Sequence, residues 1–189
     1  MSRPELETER LILRPFVFSD ASEVQRLAGS RAIADTTLNL PHPYEDGVAE
    51  KWISKHQEEY DEGKGVTFAI TRRPDGALLG AISLMGMAKG HQAELGYWIG
   101  EPFWGRGYCT EAAGAVVAYA FGVLGLARVH ACHFGRNPAS GRVMQKIGMK
   151  HEGCRRHHVK KWDKLEDIEL YGILSEEVNK ACQAARTTS

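Results

Sequence analysis

The chain has 189 residues, and its 24 acidic and 24 basic side chains cancel to a formal net charge of zero. This length is typical of one folded domain, so a single domain over residues 1–189 is expected, with residues 184–189 as a frayed tail. A neutral chain has no overall field to hold it on nucleic acid or an anionic membrane, so neither partner is expected. The charged N-terminus lacks the apolar core of a signal peptide and no apolar run approaches a membrane span, which predicts a cytoplasmic protein.

The cysteines and histidines form no disulfide or metal pattern. Cys109, Cys132, Cys154 and Cys182 are widely spaced, so they are predicted to be reduced thiols. His130 and Cys132 would share one face of a strand, yet two ligands do not complete a zinc site. No catalytic metal is therefore expected.

The N-terminal half is predicted to contain one strand, two helices and then three strands. The elements are a strand at 10–16, a helix capped at 19–20, a loop at 31–44, a helix at 48–60 and strands at 66–71, 78–87 and 93–99. The threonines and prolines of residues 31–44 favour a loop, which could form one wall of a pocket. Pro74-Asp75-Gly76 is a turn signal, so the three strands are predicted to form an antiparallel meander.

The C-terminal half begins with a strand–helix–strand unit. Its helix is predicted at 107–124 and its second strand at 128–134. Asn137-Pro138 opens a short helix that ends at Gly148, because asparagine caps helices well and proline suits the first helical position. The runs at 150–160 and 165–174 flank a turn and predict a final hairpin.

A glycine-containing run precedes the long helix: Trp104-Gly105-Arg106-Gly107-Tyr108-Cys109-Thr110. Free backbone amides at the start of a helix attract anions, and glycine lets the backbone approach a phosphate closely. The alternative is a tight turn in which glycine serves geometry alone. A Walker loop is excluded because no lysine precedes Thr110, and the strand at 128–134 lacks the acidic residue of a dinucleotide fold. The run therefore suits a diphosphate ligand of another kind.

The sequence here resembles the GNAT superfamily of N-acetyltransferases. The family loop, Gln/Arg-x-x-Gly-x-Gly/Ala, falls on residues 104–109, with Trp104 and Cys109 departing from the pattern. Trp-Gly-Arg-Gly-Tyr followed by Thr-Glu-Ala looks like the branch that acetylates ribosomal-protein N-termini. The match extends to the segments Leu6 to Arg14, Glu94 to Ile99, Asn137 to Ser140, Lys146 to Met149 and Asp167 to Tyr171, and so covers nearly the whole chain.

The resemblance implies a fold, a donor and a reaction. The fold is a mixed, mostly antiparallel α/β sheet of about seven strands, flanked by about four helices and splayed between the strand that ends near Ile99 and the strand that starts near Arg128. Acetyl-CoA enters that splay and gives its acetyl group to an amine, with a protein or peptide N-terminal α-amine as the leading acceptor. The residues implied to contact the coenzyme are Tyr97, Trp98, Ile99, Gly105, Arg106, Gly107, Tyr108, Cys109, Thr110, Asn137 and Lys146.

Glu94 is the preferred general base. Strand alternation places Glu94, Gly96 and Trp98 on one face, directed at the region of the splay. The alternative is an exposed carboxylate in a cross-strand pair. Asp167 and Glu169 are weaker candidates. An α-amine with a pKa near 7.8 is roughly one-tenth neutral at pH 7, so a weak or water-mediated base suffices for it.

The leaving sulfur needs a hydrogen-bond donor. Superfamily members often use a tyrosine at the position that Met144 occupies here, so another residue is required. Ser140 matches the serine of the ribosomal-protein branch, although a serine in the first turn of a helix is also common for structural reasons. Asn137 either caps its helix alone or also contacts the coenzyme or a water. Lys146 either meets a coenzyme phosphate or is a solvated helix lysine.

Two other functions stay open. One is the same chemistry on a small amine such as an aminoglycoside, a polyamine or an amino-acid derivative. The other is a coenzyme-binding module that senses acetyl-CoA without turnover. A cluster of acidic side chains in the acceptor pocket would favour a polycation, and an open groove would favour a peptide terminus. Related proteins are often homodimers, but the sequence indicates no interface.

Overall fold

The computed structural model of the protein describes residues 2–178, so the expected tail at 184–189 and Cys182 lie outside the described residues. The helices and strands are β1 Leu6–Glu7, β2 Leu11–Arg14, α1 Ala21–Ala28, α2 Arg31–Thr36, α3 Val48–Ser54, α4 His56–Asp61, β3 Val66–Arg72, β4 Leu78–Ala88, β5 Gln92–Ile99, α5 Tyr108–Gly122, β6 Arg128–Phe134, α6 Pro138–Lys146, β7 Lys150–Lys161 and β8 Lys164–Leu174. No helix within residues 2–178 is long and apolar enough to cross a membrane.

One sheet runs through this part of the chain in the order β1-β2-β3-β4-β5-β6-β8-β7. Every neighbouring pair is antiparallel except β5 and β6, which are parallel. The mixed, mostly antiparallel sheet expected from the sequence is confirmed. Residues 2–174 hold eight strands and six α-helices, where about seven and four were expected. The additional strand is β1, which has only two residues.

The two parallel strands separate along their length. Residues Gln92 to Glu94 of β5 pair with Arg128 to His130 of β6. Beyond these, residues 95–99 pair only with β4 and residues 131–134 pair only with β8. A gap therefore opens in the middle of the sheet toward the C-terminal ends of β5 and β6, and the expected splay is confirmed.

Apolar side chains cover both faces of the sheet. On one face, α5 and α6 enclose a large buried cluster that includes Leu11, Phe68, Ile82, Leu95, Val116 and Met144. On the other face, α1 and α3 enclose a smaller cluster that includes Phe16, Val24, Leu27, Ile53 and Ala81. Burial of each large apolar side chain contributes roughly 2 kcal/mol of transfer free energy. The gap between β5 and β6 thus lies in a sheet that has a packed apolar cluster on each face.

Close packing of α6 against β6 fixes one border of the gap. A Cβ atom built on Gly141 would lie 2.6 Å from Nε2 of His133 on β6, so a side chain at this position would clash. Glycine therefore lets the helix approach the strand closely. This contact sets the position of Ser140, the preceding residue.

The prediction of a loop over residues 31–44 is wrong for its first part. Residues Arg31–Thr36 form α2, in which Ile33 and Ala34 are buried and donate backbone hydrogen bonds to the Ser30 carbonyl. A six-residue helix has little intrinsic stability, so tertiary packing rather than local propensity decides its formation. The proline-containing remainder of the segment has no helix or strand.

The prediction of one helix over residues 48–60 is also wrong, because the helix breaks at Lys55. The Lys55 amide donates to the Trp52 carbonyl at 3.3 Å, a tighter turn than that of an α-helix. After the break, the His56 ring lies against Trp52, with ring centroids 4.4 Å apart, and against Phe16 at 5.6 Å. The apolar repeat that suggested one helix is real, but a turn at Lys55 divides it into α3 and α4.

His56 is buried in this aromatic cluster, and neither ring nitrogen has a hydrogen-bond partner among the described residues. Burial, with a smaller contribution from the nearby Arg3 cation, lowers the pKa of His56 to about 4. In the unfolded chain the histidine has a pKa near 6.5, whereas in the folded chain its pKa is about 4. Stability from this group is therefore present above pH 6.5 and is lost as the pH falls through this window.

His56→Phe is expected to flatten the acid dependence of stability. The free energy of unfolding of the wild type should fall by about 2.5 kcal/mol through this group between pH 7 and pH 4.5, and that of the variant should not. Urea titrations at pH 7 and pH 4.5 measure this difference. His91→Phe, at an exposed histidine, is the matched control. Equal pH dependence in wild type and His56→Phe would contradict the assignment.

Candidate active site

The loop before α5 presents free backbone amides. Gly105 and Gly107 have φ angles of 73° and 80°, a region that glycine enters without strain, and Gly107 is the N-cap of α5. Within the described residues, none of the amides of residues 105–110 donates a hydrogen bond to another backbone group. These donors stand at the start of a fifteen-residue helix, whose dipole favours an anion. Arg106 completes the loop, and Tyr108 and Thr110 lie in the first turn of α5, so this geometry suits a diphosphate.

A charged contact from the N-terminal segment holds this loop. Glu111, in the first turn of α5, accepts hydrogen bonds from the Arg10 amide at 2.8 Å, from Arg10 Nε at 2.7 Å and from Thr8 Oγ1 at 2.6 Å. Arg10 Nη1 in turn donates to the Arg106 carbonyl at 3.0 Å. One loop carbonyl is thereby bound to Arg10. Sequence reasoning missed Thr8, Arg10 and Glu111 as supports, although all three lie in segments that carry the family resemblance.

Strand β5 directs part of its backbone into the gap. The Gly100 amide donates to Leu79 on the β4 side, at 2.8 Å. Because backbone groups alternate along a strand, those of Tyr97 and Ile99 point the other way, toward β6. The Ile99 carbonyl accepts from the indole Nε1 of Trp104 at 2.6 Å, which gives Trp104 a structural role. The Trp98 side chain packs instead in the smaller cluster under α1 and α3.

Glu94 lies where β5 and β6 part. It is the last β5 residue paired with β6, opposite His130, and its Oε1 is 3.6 Å from Sγ of Cys132. Burial is the main cause that lowers the pKa of His130, which favours its neutral form. Sequence reasoning placed Glu94 near the splay but gave His130 no role beyond a discarded metal site. A carboxylate and a neutral imidazole are both proton acceptors.

The two weaker candidate bases are engaged elsewhere. Asp167 accepts a hydrogen bond from the His157 amide at 2.7 Å, and Glu169 contacts Nε2 of His151 at 2.6 Å. Both lie on β8, which β6 separates from β5 in the sheet. Glu94 is therefore the candidate base best placed by this geometry.

Ser140 lies across the gap from β5, in the first turn of α6. Its Oγ is 2.9 Å from the Tyr97 hydroxyl, which also lies 3.1 Å from the Ser140 carbonyl oxygen. The Asn137 side chain accepts from the Ser140 amide at 3.4 Å, which is the capping role expected of it. Met144, at the position where other family members have tyrosine, is buried in the large core cluster. Sequence reasoning assigned only the backbone of Tyr97 and did not foresee its hydroxyl contact.

Cys109 and Lys146, the remaining two predicted coenzyme contacts, lie in different surroundings. The Cys109 side chain is packed against the large core cluster, and burial raises the pKa of its thiol to about 12. Its amide lies in the first turn of α5, beside those of Tyr108 and Thr110. Lys146, at the end of α6, lines a cleft of about 490 Å³ together with Thr110 and Glu111, beside the start of α5.

A second cleft, of about 220 Å³, lies between α2 and the β7–β8 turn. Arg136, two residues after β6, donates to Asp35 at 2.7 Å and to Glu166 at 2.8 Å. Lys161 is buried, and its Nζ donates to the carbonyls of Leu38 at 3.1 Å and Leu40 at 3.0 Å. The charged lining comprises Arg31, Arg136, Lys161 and Lys164 with Asp35, Asp163 and Glu166. Basic side chains outnumber acidic ones, so this cleft is no acidic cluster.

The sheet splits between the parallel strands β5 and β6, beside the N-terminus of α5 with its free amides. This arrangement is the one expected of a site that binds an acyl-coenzyme A. The family model described as "Acetyltransferase (GNAT) domain" matches residues 10–150, and the chain belongs to this family. It is 32% identical to "Uncharacterized N-acetyltransferase YoaA" of Bacillus subtilis (strain 168), over 90% of this chain and 97% of that protein. It is also 32% identical to "Putative ribosomal N-acetyltransferase YdaF" of the same organism, over 70% of this chain and 72% of that protein.

The fold is shared with a solved structure, "The crystal structure of the acetyltransferase (GNAT family) from Bacillus anthracis". The TM-score is 0.81 at 26% identity, with 92% of this chain and 99% of that chain covered. The protein is thus an acetyl-CoA-dependent N-acetyltransferase of the GNAT type. No group of three His, Cys, Asp or Glu side chains in residues 2–178 could hold a metal ion.

Proposed function

We propose that the enzyme acetylates a protein or peptide N-terminal α-amine by direct attack in a ternary complex. The observation that carries this proposal is the gap between β5 and β6, with Glu94 at its start and Ser140 on its far border. Alternation along β5 puts Glu94 and Tyr97 on opposite faces of the sheet. The amine and the thioester can therefore meet in the gap from opposite sides.

The residues divide the reaction between them. The amine nitrogen attacks the thioester carbonyl carbon, the C–S bond breaks and its electron pair goes to sulfur. Glu94 accepts the proton that the amine loses, directly or through water. The Tyr97 amide, which points into the gap, donates to the carbonyl oxygen as charge develops there. Ser140 donates a hydrogen bond to the departing sulfur, and the amides of residues 105–110 bind the diphosphate.

Transfer without an acyl-enzyme is supported by the state of the two cysteines near the site. Desolvation and the neighbouring Glu94 carboxylate raise the pKa of the Cys132 thiol to about 11. Burial raises that of Cys109 to about 12. A thiol attacks an acyl group as thiolate, and both groups stay protonated at neutral pH. Neither cysteine is then a competent acyl acceptor.

The acceptor class is supported by the charge of the second cleft, between α2 and the β7–β8 turn, which we assign to the acceptor because Arg136 in its lining follows β6 by two residues. Its lining has four basic and three acidic side chains. With one more basic than acidic side chain, this lining offers no acidic cluster to a polycation such as a polyamine, whereas a peptide N-terminus carries a single positive charge. The name of YdaF, which refers to a ribosomal target, points to the same acceptor class.

A thiol-release assay tests the proposal. The full chain is incubated with acetyl-CoA and a panel of N-terminal peptides, polyamines, aminoglycosides and amino-acid amides, and free thiol is measured with time. Thiol release above background is expected with peptides that have a free α-amine, and mass spectrometry should place the acetyl group there. The same peptides with blocked N-termini are the matched controls. Turnover confined to a small amine, or equal turnover of the blocked peptides, would refute the proposed acceptor.

A further inference from the structure

We propose that Tyr97 is a positioning residue for Ser140, and that the two hydroxyls form a chain that delivers a hydrogen bond to the departing sulfur. This inference rests on the proposed function of the gap as the site of acetyl transfer. It assigns a task to a side chain that the reaction described above uses only through its backbone.

The contact spans the gap itself. Tyr97 belongs to the part of β5 that no longer pairs with β6, and Ser140 belongs to the helix that follows β6. The Tyr97 hydroxyl lies 2.9 Å from Ser140 Oγ and 3.1 Å from the Ser140 carbonyl oxygen. Among the described residues, no other side-chain hydrogen bond joins β5 to α6. The two residues are 43 positions apart, so this contact exists only in the folded chain.

Counting hydrogens shows how the pair can respond to charge. The Ser140 carbonyl can only accept, so at rest the Tyr97 hydroxyl donates to it and Ser140 Oγ donates to the Tyr97 oxygen. When negative charge appears on sulfur, the serine hydrogen can turn toward it. The tyrosine hydrogen then turns from the carbonyl to the serine oxygen. Only two O–H bonds rotate, and no heavy atom has to move.

Tyr97 serves this chain as a donor that keeps its proton. Burial, with a smaller contribution from the neighbouring Cys109, raises the pKa of Tyr97 well above its usual value. The phenol therefore does not ionise when the thioester breaks. The C–S electron pair stays on sulfur, stabilised by the Ser140 hydrogen bond, and a hydrogen bond from Tyr97 to Ser140 strengthens that donor. The thiolate takes its proton after transfer, from solvent or from the amine proton released at Glu94.

Removal of either hydroxyl should slow the same step. Tyr97→Phe and Ser140→Ala are each expected to lower kcat about 10-fold with little change in KM, because the lost hydrogen bond forms with developing charge. The double variant should lose less than about 2-fold beyond Ser140→Ala, since Tyr97 then has nothing to position. Tyr171→Phe is the matched control, because it loses a 3.2 Å contact with Gln145 of the same helix away from the gap.

A binding measurement separates positioning from a structural role. Calorimetry at pH 10, where a large fraction of coenzyme A is thiolate, compares coenzyme A with desulfo-coenzyme A, in which hydrogen replaces the thiol. The wild type is expected to prefer coenzyme A about 5-fold or more, and both variants to show a preference below about 2-fold. Affinity for the desulfo analogue should be unchanged, which also reports that the variants are folded.

Three outcomes would overturn the inference. They are a kcat for Tyr97→Phe equal to that of Tyr171→Phe, additive losses in the double variant, or equal weakening of both coenzyme analogues together with a lower Tm. The last result would make Tyr97 a structural tether only. Failure of the proposed function gives a different result, since the wild type itself would then release no thiol with any peptide.

Discussion

Replacing Gly107 with valine is expected to raise the Kd for coenzyme A about 100-fold, the equivalent of two lost charge-assisted hydrogen bonds of about 1.5 kcal/mol each. Gly107 has a φ of 80° and caps α5. A β-branched residue does not adopt this conformation, so the loop must rotate and its amides must turn from the diphosphate. Calorimetric titration with coenzyme A measures the change.

Gly76→Val is the matched control for this loop variant. Gly76 has a φ of 68° in the β3–β4 turn, and a Cβ atom built there meets nothing within 4 Å. The same backbone strain should therefore lower Tm in both variants, while only Gly107→Val weakens coenzyme binding. Ligand-induced stabilisation gives a second readout, because an excess of coenzyme A should raise Tm in Gly76→Val but hardly in Gly107→Val. If Gly76→Val and Gly107→Val bound coenzyme A with the same Kd, this loop would not be the binding site of the diphosphate.

The sequence predicted the elements that border the gap because their signals are local. The turn at Pro74-Asp75-Gly76, the cap at Asn137 and the glycines before α5 each fix a boundary through short-range geometry, and the long helix between two strands indicated a crossover. The gap itself was predicted only from the family resemblance. The sequence of residues 92–99 alone does not predict that pairing with β6 stops after Glu94, because the register depends on both strands.

The features that the sequence did not reveal are long-range or marginal. The Tyr97–Ser140 pair and the Arg10–Glu111 pair join residues 43 and 101 positions apart, and no periodicity encodes such contacts. The short helix α2 and the break at Lys55 were missed because packing outweighs weak local propensity in elements of six or seven residues. Alternation along β5 did place Glu94 correctly relative to Trp98, since that pattern has a period of two.

Glu94→Gln is expected to lower kcat/KM about 100-fold at pH 7, within the range that a positioned general base contributes. The amide keeps the size of the side chain and loses the proton acceptor. The difference in kcat/KM between the wild type and Glu94→Gln should narrow as the pH rises through the pKa of the acceptor amine. Above that pKa the amine binds in its neutral form, and solvent can take the proton that it loses on attack. For an α-amine this narrowing is expected near pH 8, and for a lysine-like amine near pH 10.

Steady-state rates of the wild type and Glu94→Gln from pH 6 to pH 10, with a peptide bearing a free α-amine, measure both the size and the midpoint of this deficit. Glu169→Gln is the matched control, since it makes the same change at a carboxylate held by His151 away from the gap. A uniform deficit at every pH would mean that Glu94 orients the acceptor without removing its proton. If the two glutamine variants had equal activity, the proton would have to leave through another group, and His130, opposite Glu94 across the start of the gap, would be the next side chain to replace.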